Sequence, residues 1–197
     1  MFEHEVREMV DYMVNYYGDD FVSLLEGGVG VQYKDALLVA PNDKYDVYAG
    51  CSRIGIVDYD HDLVYKMNYV KFNYCEKEYR NYITAQDAHL GGFFIPTYKV
   101  YINEFDTYIY VQPRVDFDED VNMEYVSSDI DEESDWGVDE CDLVMNCLPS
   151  ELIDFLNEND INDVHVGNIV IEDDSIRIFD YAGYGLEDIY GERGELM

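Results

Sequence analysis

Basic residues are scarce in this chain of 197 residues: 12 Lys and Arg stand against 44 Asp and Glu, a formal net charge of −32. Between Arg114 and Arg177 there is no Lys or Arg at all, while the same interval holds 21 acids. A field of that sign repels nucleic acid and anionic membrane, so direct binding to either is excluded, and a basic protein is the partner it favours. The chain also lacks any run of eighteen apolar residues, and its acidic start lacks the basic region of a signal peptide. These absences point to a soluble, cytoplasmic protein. Cys51, Cys75, Cys141 and Cys147 form no Cys-x-x-Cys pair and no zinc-type spacing, which reads as reduced core or surface thiols. No internal repeat is present.

What is present is apolar enough to fold. Hydrophobic residues make up 48% of the chain, which excludes the low-hydrophobicity route to disorder, and the length suits one domain or two small lobes. Val6, Met9, Val10, Met13, Val14 and Tyr17 recur at three-and-four spacing, predicting a helix over 5–17 with Gly18 as its stop. A short helix follows over 20–25, ending in Gly27-Gly28. Residues 45–50, 55–59 and 63–68 read as strands rich in Val, Ile and Tyr, and 75–88 returns to helical texture. Strands are expected at 98–103 and 108–112, then an acid-rich mobile loop or insertion over 116–142, with 13 acids in 27 residues. A helix from Ser150, taken as its N-cap, runs to about Asn157. A hairpin closes the pattern: 166–171, a turn at Asp173-Asp174-Ser175, and 176–179. The class is α+β, divided into an N-terminal helical extension (1–44), a small antiparallel lobe (45–114) and a reduced C-terminal lobe (115–197).

The segment carrying most chemistry is Asp163-Val-His-Val-Gly-Asn168, followed by the hairpin and then Asp180-Tyr-Ala-Gly183. Phosphoryl transfer needs a carboxylate to orient or deprotonate the attacking hydroxyl, and an amide oxygen with a second carboxylate to hold magnesium against the phosphates. This arrangement resembles the catalytic core of protein kinases and of small-molecule kinases such as the aminoglycoside phosphotransferases. Upstream, Gly50-Cys-Ser52-Arg-Ile-Gly55-Ile-Val57 resembles a kinase glycine-rich loop with two glycines rather than three, and Lys66 lies in the strand after it.

The resemblance implies a two-lobed protein-kinase-like fold, with ATP and magnesium as cofactors. Gly50, Ser52, Gly55 and Lys66 would cover or neutralise phosphates. Glu76 or Glu78 would pair with Lys66, Glu78 being preferred because Tyr82 and Ile83 would anchor the helix beside it. Gln112-Pro-Arg114 falls where a hinge would hold adenine through backbone groups. Asp163 would be the base or orienter, and Asn168 and Asp180 the metal ligands.

Departures from the pattern concern the acceptor. Ile161 stands where protein kinases usually have a histidine, the metal-binding turn reads Asp-Tyr-Ala, and the fourteen residues after Gly183 leave no platform for a peptide substrate. His165 is structural in the resembling motif. The implied activity is transfer of phosphate to a hydroxyl. The alternative is a weak or inactive kinase-fold binding protein, its acidic face engaging a basic host protein, even as a nucleic-acid mimic. Compact chains of this type are similar to bacteriophage proteins, which would place this one in the host cytoplasm. Two lookalikes fail: Asp58-x-Asp60-x-Asp62 lacks the glycine and glutamate of a calcium loop, and Gly27-Gly-Val-Gly30 lacks the lysine of a phosphate loop.

Overall fold

The computed structural model describes residues 1–39, 42–116, 118–127, 140–172 and 175–183. The class is α+β. Within the described residues the chain divides into two compact units, one holding Met1–Tyr79 with Pro96–Arg114, the other Arg80–Ile95 with the chain from Val115 onward.

The first unit opens with α1 (Glu3–Tyr17), α2 (Asp19–Leu25) and α3 (Val31–Val39). Glu3 and Glu5 sit in the first turn of α1, where carboxylates favour the exposed amides. Gly18 ends α1 at φ 60°, a left-handed conformation open to glycine, and donates its N–H to Val14 O at 2.9 Å. The strands are β1 (Asp46–Ala49), β2 (Arg53–Asp58), β3 (Leu63–Asn68), β4 (Tyr98–Ile102) and β5 (Thr107–Pro113). They form one five-stranded sheet in the order β1-β2-β3-β5-β4, every pairing antiparallel. Helix α4 (Tyr74–Asp87) follows β3 directly in the chain.

Strand alternation sorts the sheet into two faces. Ile54, Ile56, Leu63, Tyr65, Met67, Val100, Ile102, Ile109 and Val111 lie in a single core with Val6, Met9, Val10 and Met13 of α1, Phe21, Leu24 and Leu25 of α2, and Leu37 of α3. The helices of residues 1–44 supply eight of the nineteen buried residues of this core. The β2–β3 turn is closed by Asp58, whose carboxylate accepts from the amides of Asp60 and His61, the Tyr65 hydroxyl at 2.9 Å and the His61 ring at 2.9 Å.

The second unit contains α5 (Glu119–Ser127), α6 (Glu140–Asn146), α7 (Ser150–Glu158), a 3-10 turn at Val166–Asn168, and the hairpin of β6 (Ile169–Glu172) and β7 (Ser175–Ile178). Its core gathers Phe94, Val126, Leu143, Val144, Leu152, Phe155, Leu156, Ile169, Ile178 and Tyr181. Phe94 meets Phe155 and Tyr181 edge-on, at ring centroid distances of 5.8 and 4.9 Å.

Three local expectations need correction. The 116–142 stretch is not a loop throughout: 119–127 is helical and α6 begins at Glu140, while 128–139 lies outside the described residues. Pro149 occupies the N-cap of α7 and Ser150 its first turn, with no side-chain cap bond. Residues 166–168 form the 3-10 turn rather than strand, and Asp173 and Asp174 of the proposed turn fall outside the described residues. Among the described residues, no helix is long and apolar enough to cross a membrane.

Candidate functional site

In the first unit, the sheet face turned away from the apolar core carries charge. Alternation along β2, β3 and β5 places Arg53, Lys66 and Gln112 on it, and all three converge on Glu78 of α4. Lys66 Nζ donates to Glu78 Oε1 at 3.0 Å and Oε2 at 3.1 Å. Arg53 donates to Oε2 at 2.9 Å, and the Gln112 amide donates to Oε1 at 3.1 Å and to Thr97 Oγ1 at 2.7 Å. Glu78 has no exposed surface, and the side chains of Arg53 and Lys66 are only 7% and 12% exposed.

Burial alone would push the Glu78 carboxyl up. The attraction of Lys66 and Arg53 and the bonds from Lys66 and Gln112 outweigh that and hold it below its ordinary range. Lys66 is pressed down by burial, with the Arg53 guanidinium adding to the effect against the pull of Glu78. Cys75 lies in the same field, and burial pushes its thiol up to about 12, so it is an inert core residue.

Of the two candidate glutamates, Glu78 is the one that meets Lys66. Glu76 instead accepts from Lys99 and from the Tyr110 hydroxyl at 2.6 Å. Tyr82 is buried in the second unit's core, whereas Ile83, expected to anchor the helix, is exposed.

The glycine segment forms a tight turn between β1 and β2. Gly50 N donates to Arg53 O, the Tyr69 hydroxyl donates to Gly50 O at 2.6 Å, and Tyr69 N donates to Ser52 O. Ser52 is buried, which withdraws its hydroxyl from the surface expected to cover phosphates. Gly55 pairs with Lys66 across β2 and β3, and a Cβ there would meet only Val64 Cγ1 at 3.7 Å. Packing inside the protein does not demand glycine at 55, and its absence of a side chain leaves room beside Lys66. In the hinge candidate 112–114, Pro113 has no N–H, the Arg114 N–H is donated to Asp62 O at 2.8 Å, and the Gln112 side chain is buried on Glu78.

In the second unit, the Asp163–Asn168 segment is held through its own backbone. Asn168 Nδ2 donates to Asp163 O at 2.8 Å, and Asn168 N donates to His165 O at 2.9 Å. Because only the amide nitrogen can serve a carbonyl, this bond turns Asn168 Oδ1 the other way, as an acceptor. His165 Nδ1 accepts from Gly167 N at 3.1 Å, which leaves the proton of the neutral ring on Nε2, 3.8 Å from Asp163 Oδ1. The Asp163 side chain is 34% exposed.

The hairpin sets Asn168 across from Phe179, whose N–H donates to Asn168 O at 2.9 Å, and Asp180 is the next residue. Asp180 adopts φ 59°, a left-handed conformation that costs a residue with a Cβ some strain and that Asp tolerates better than most. The turn after it is anchored: Tyr181 donates its hydroxyl to Ile95 O at 2.7 Å and accepts from the Asn81 amide at 2.9 Å. Gly183, at φ 66°, brings its backbone so near Asp160 that an added Cβ would lie 2.1 Å from the Asp160 carbonyl oxygen.

The donors suit magnesium, a hard cation usually held by one or two carboxylates together with substrate phosphates and water. No group of three or more His, Cys, Asp or Glu gathers as a metal site among the described residues. Sequence reasoning missed two residues. By sequence Arg53 falls in the glycine-rich segment between two expected strands, whereas in the structure it opens β2, and only its alternation with Ile54 and Ile56 signals the face it shares with Lys66. Asn122 lay inside the acid-rich stretch; it is buried on α5 and donates to both Val166 O and Ile169 O. Comparison of the chain with family models, with curated proteins and with solved structures finds no match.

Proposed function

We propose that the two units are the lobes of a kinase-like fold, and that the protein binds ATP with magnesium and transfers phosphate to a hydroxyl acceptor. The observation that carries this reading is the bidentate pairing of Lys66, on the third strand, with Glu78, on the helix that follows. Protein kinases use a lysine on their third strand paired with a glutamate on the next helix to engage the nucleotide phosphates. The pairing costs both side chains their hydration, which a purely structural role repays poorly.

In this reading Lys66 supplies positive charge to phosphate oxygens, and Glu78 fixes its position. Asp163 orients or deprotonates the acceptor hydroxyl. Asn168, through Oδ1, and Asp180 hold magnesium, which when bound neutralises charge on the phosphates. The work of the protein is positioning and electrostatics, the terms that dominate phosphoryl transfer. The reading places the protein in the cytoplasm, the host's if a phage encodes it.

Thermal unfolding with and without ATP and magnesium tests it. A ligand bound only by the native state must stabilise that state. An upward shift of several degrees in the parent, lost in both Lys66→Ala and Asp180→Ala, supports the reading. No shift at millimolar nucleotide overturns it.

The charge favours a second reading, a kinase-fold binding protein whose acidic face captures a basic partner. Capture of that kind weakens steeply as ionic strength rises, whereas nucleotide binding depends chiefly on magnesium and Lys66.

A further inference from the structure

The segment with most of the phosphate chemistry is short, and bonds from outside add to those it makes within itself. The 163–169 backbone presents a series of carbonyls that must each find a donor. Asn168 serves those of Asp163 and His165, and Phe179 N serves that of Asn168. The carbonyls of Val166 and Ile169 are both served by one group, the side-chain amide of Asn122, each at 2.9 Å. An amide nitrogen has two N–H donors, so both are used. Asn122 is 2% exposed, on a helix whose other buried residue is Val126.

The same helix also lies beside the loop at Gly167. A Cβ at Gly167 would lie 2.7 Å from Glu119 Oε1 and 2.9 Å from His165 Cε1. The Glu119 carboxylate, on the first turn of α5, thus occupies the space that a side chain at 167 would need. The two carbonyls bound by Asn122 bracket the peptide units on either side of Asn168, the residue whose Oδ1 is offered to the metal.

From this we infer that α5 is a brace for the Asp163–Asn168 loop, and that Asn122 is a positioning residue for the metal-binding amide of Asn168. The inference rests on the kinase-like reading for the metal, and on geometry alone for the brace. The acid-rich stretch then contains part of the machinery instead of interrupting it.

The test uses the full chain and three variants: Asn122→Ala, the isosteric Asn122→Asp, which removes both donors, and Val126→Ala, which loosens the packing of α5 but leaves both Asn122 donors in place. Magnesium is titrated at fixed ATP by calorimetry, and amide hydrogen exchange is followed at Gly167 and Asn168. Both Asn122 variants are expected to need at least about tenfold more magnesium for half-saturation, and to exchange those amides at least about tenfold faster. Val126→Ala, although less stable overall, should leave the magnesium requirement within about twofold of the parent. Equal effects from Val126→Ala and Asn122→Ala, or unchanged exchange in the Asn122 variants, overturn the inference. If the parent shows no magnesium-dependent ATP binding, the kinase-like reading and the metal half of this inference fail together. The brace is then decided by exchange alone, since that readout needs no ligand.

Discussion

Lys66 holds its ammonium 3.0 and 3.1 Å from the two oxygens of Glu78, so a strand and the next helix are joined through a carboxylate with no access to water. Glu78→Ala would leave Lys66 and Arg53 facing a space without the anion both contact. Removing one partner of a buried ion pair costs about 3–5 kcal/mol. We expect a loss in that range by urea denaturation at neutral pH. A loss below about 1 kcal/mol, the value of exposed pairs, would show the carboxylate hydrated in solution.

Gly183→Ala is expected to destabilise by more than about 2 kcal/mol, because a left-handed φ and a clash act together. The added Cβ would sit 2.1 Å from the Asp160 carbonyl oxygen, at φ 66°. Denaturant midpoints of parent and variant check it. A near-neutral result would place the turn after Asp180 in another conformation.

The Asp58–His61 pair makes stability depend on pH in opposite directions at its two ends. His61 is raised above its ordinary 6.5, first by the hydrogen bond to Asp58, with Glu8 and Glu5 adding attraction. Its contribution is complete below 6.5 and is lost as pH rises through the folded value. Burial pushes Asp58 up, but the bonds from His61 and Tyr65 prevail and hold it below 3.8. That contribution is present above 3.8 and is lost as pH falls through the folded value. Urea midpoints should therefore decline on the alkaline side in the parent, and the decline should be smaller in His61→Asn. Profiles that superimpose after a constant offset would mean that the pair does not form.

Much of the fold was legible because its signals are periodic. The three-and-four spacing from Val6 to Tyr17, the stop at Gly18 and the Val, Ile and Tyr alternation of β2 and β3 each depend on residues close in sequence. What eluded sequence reasoning depends on partners far away. Helix α5 carries acids at Glu119, Asp120 and Glu124, which mask the two residues it buries, and Asn122 has no apolar signature at all. Arg53 fell in the glycine-rich segment and Gln112 in the hinge candidate, and nothing local tells a polar strand residue facing water from one facing a glutamate 25 positions later or 34 positions earlier. The candidate site shows the same split. The order of lysine, glutamate, aspartates and asparagine is written along the chain, whereas the bonds that aim Asn168 and occupy Gln112 belong to the packed state.

The polar face of the first unit's sheet has a geometric consequence for α4. An oily contact would accept a helix at several rotations about its axis, since one aliphatic side chain can replace another at little cost. Glu76 and Glu78 lie two positions apart, pointing in well-separated directions, and each has its own partners: Lys99 and Tyr110 for one, Lys66, Arg53 and Gln112 for the other. Turning the helix by a single residue, about 100°, would strand both carboxylates at once. The two act like the wards of a lock, admitting one angular setting of α4 and leaving the others without a stable seat.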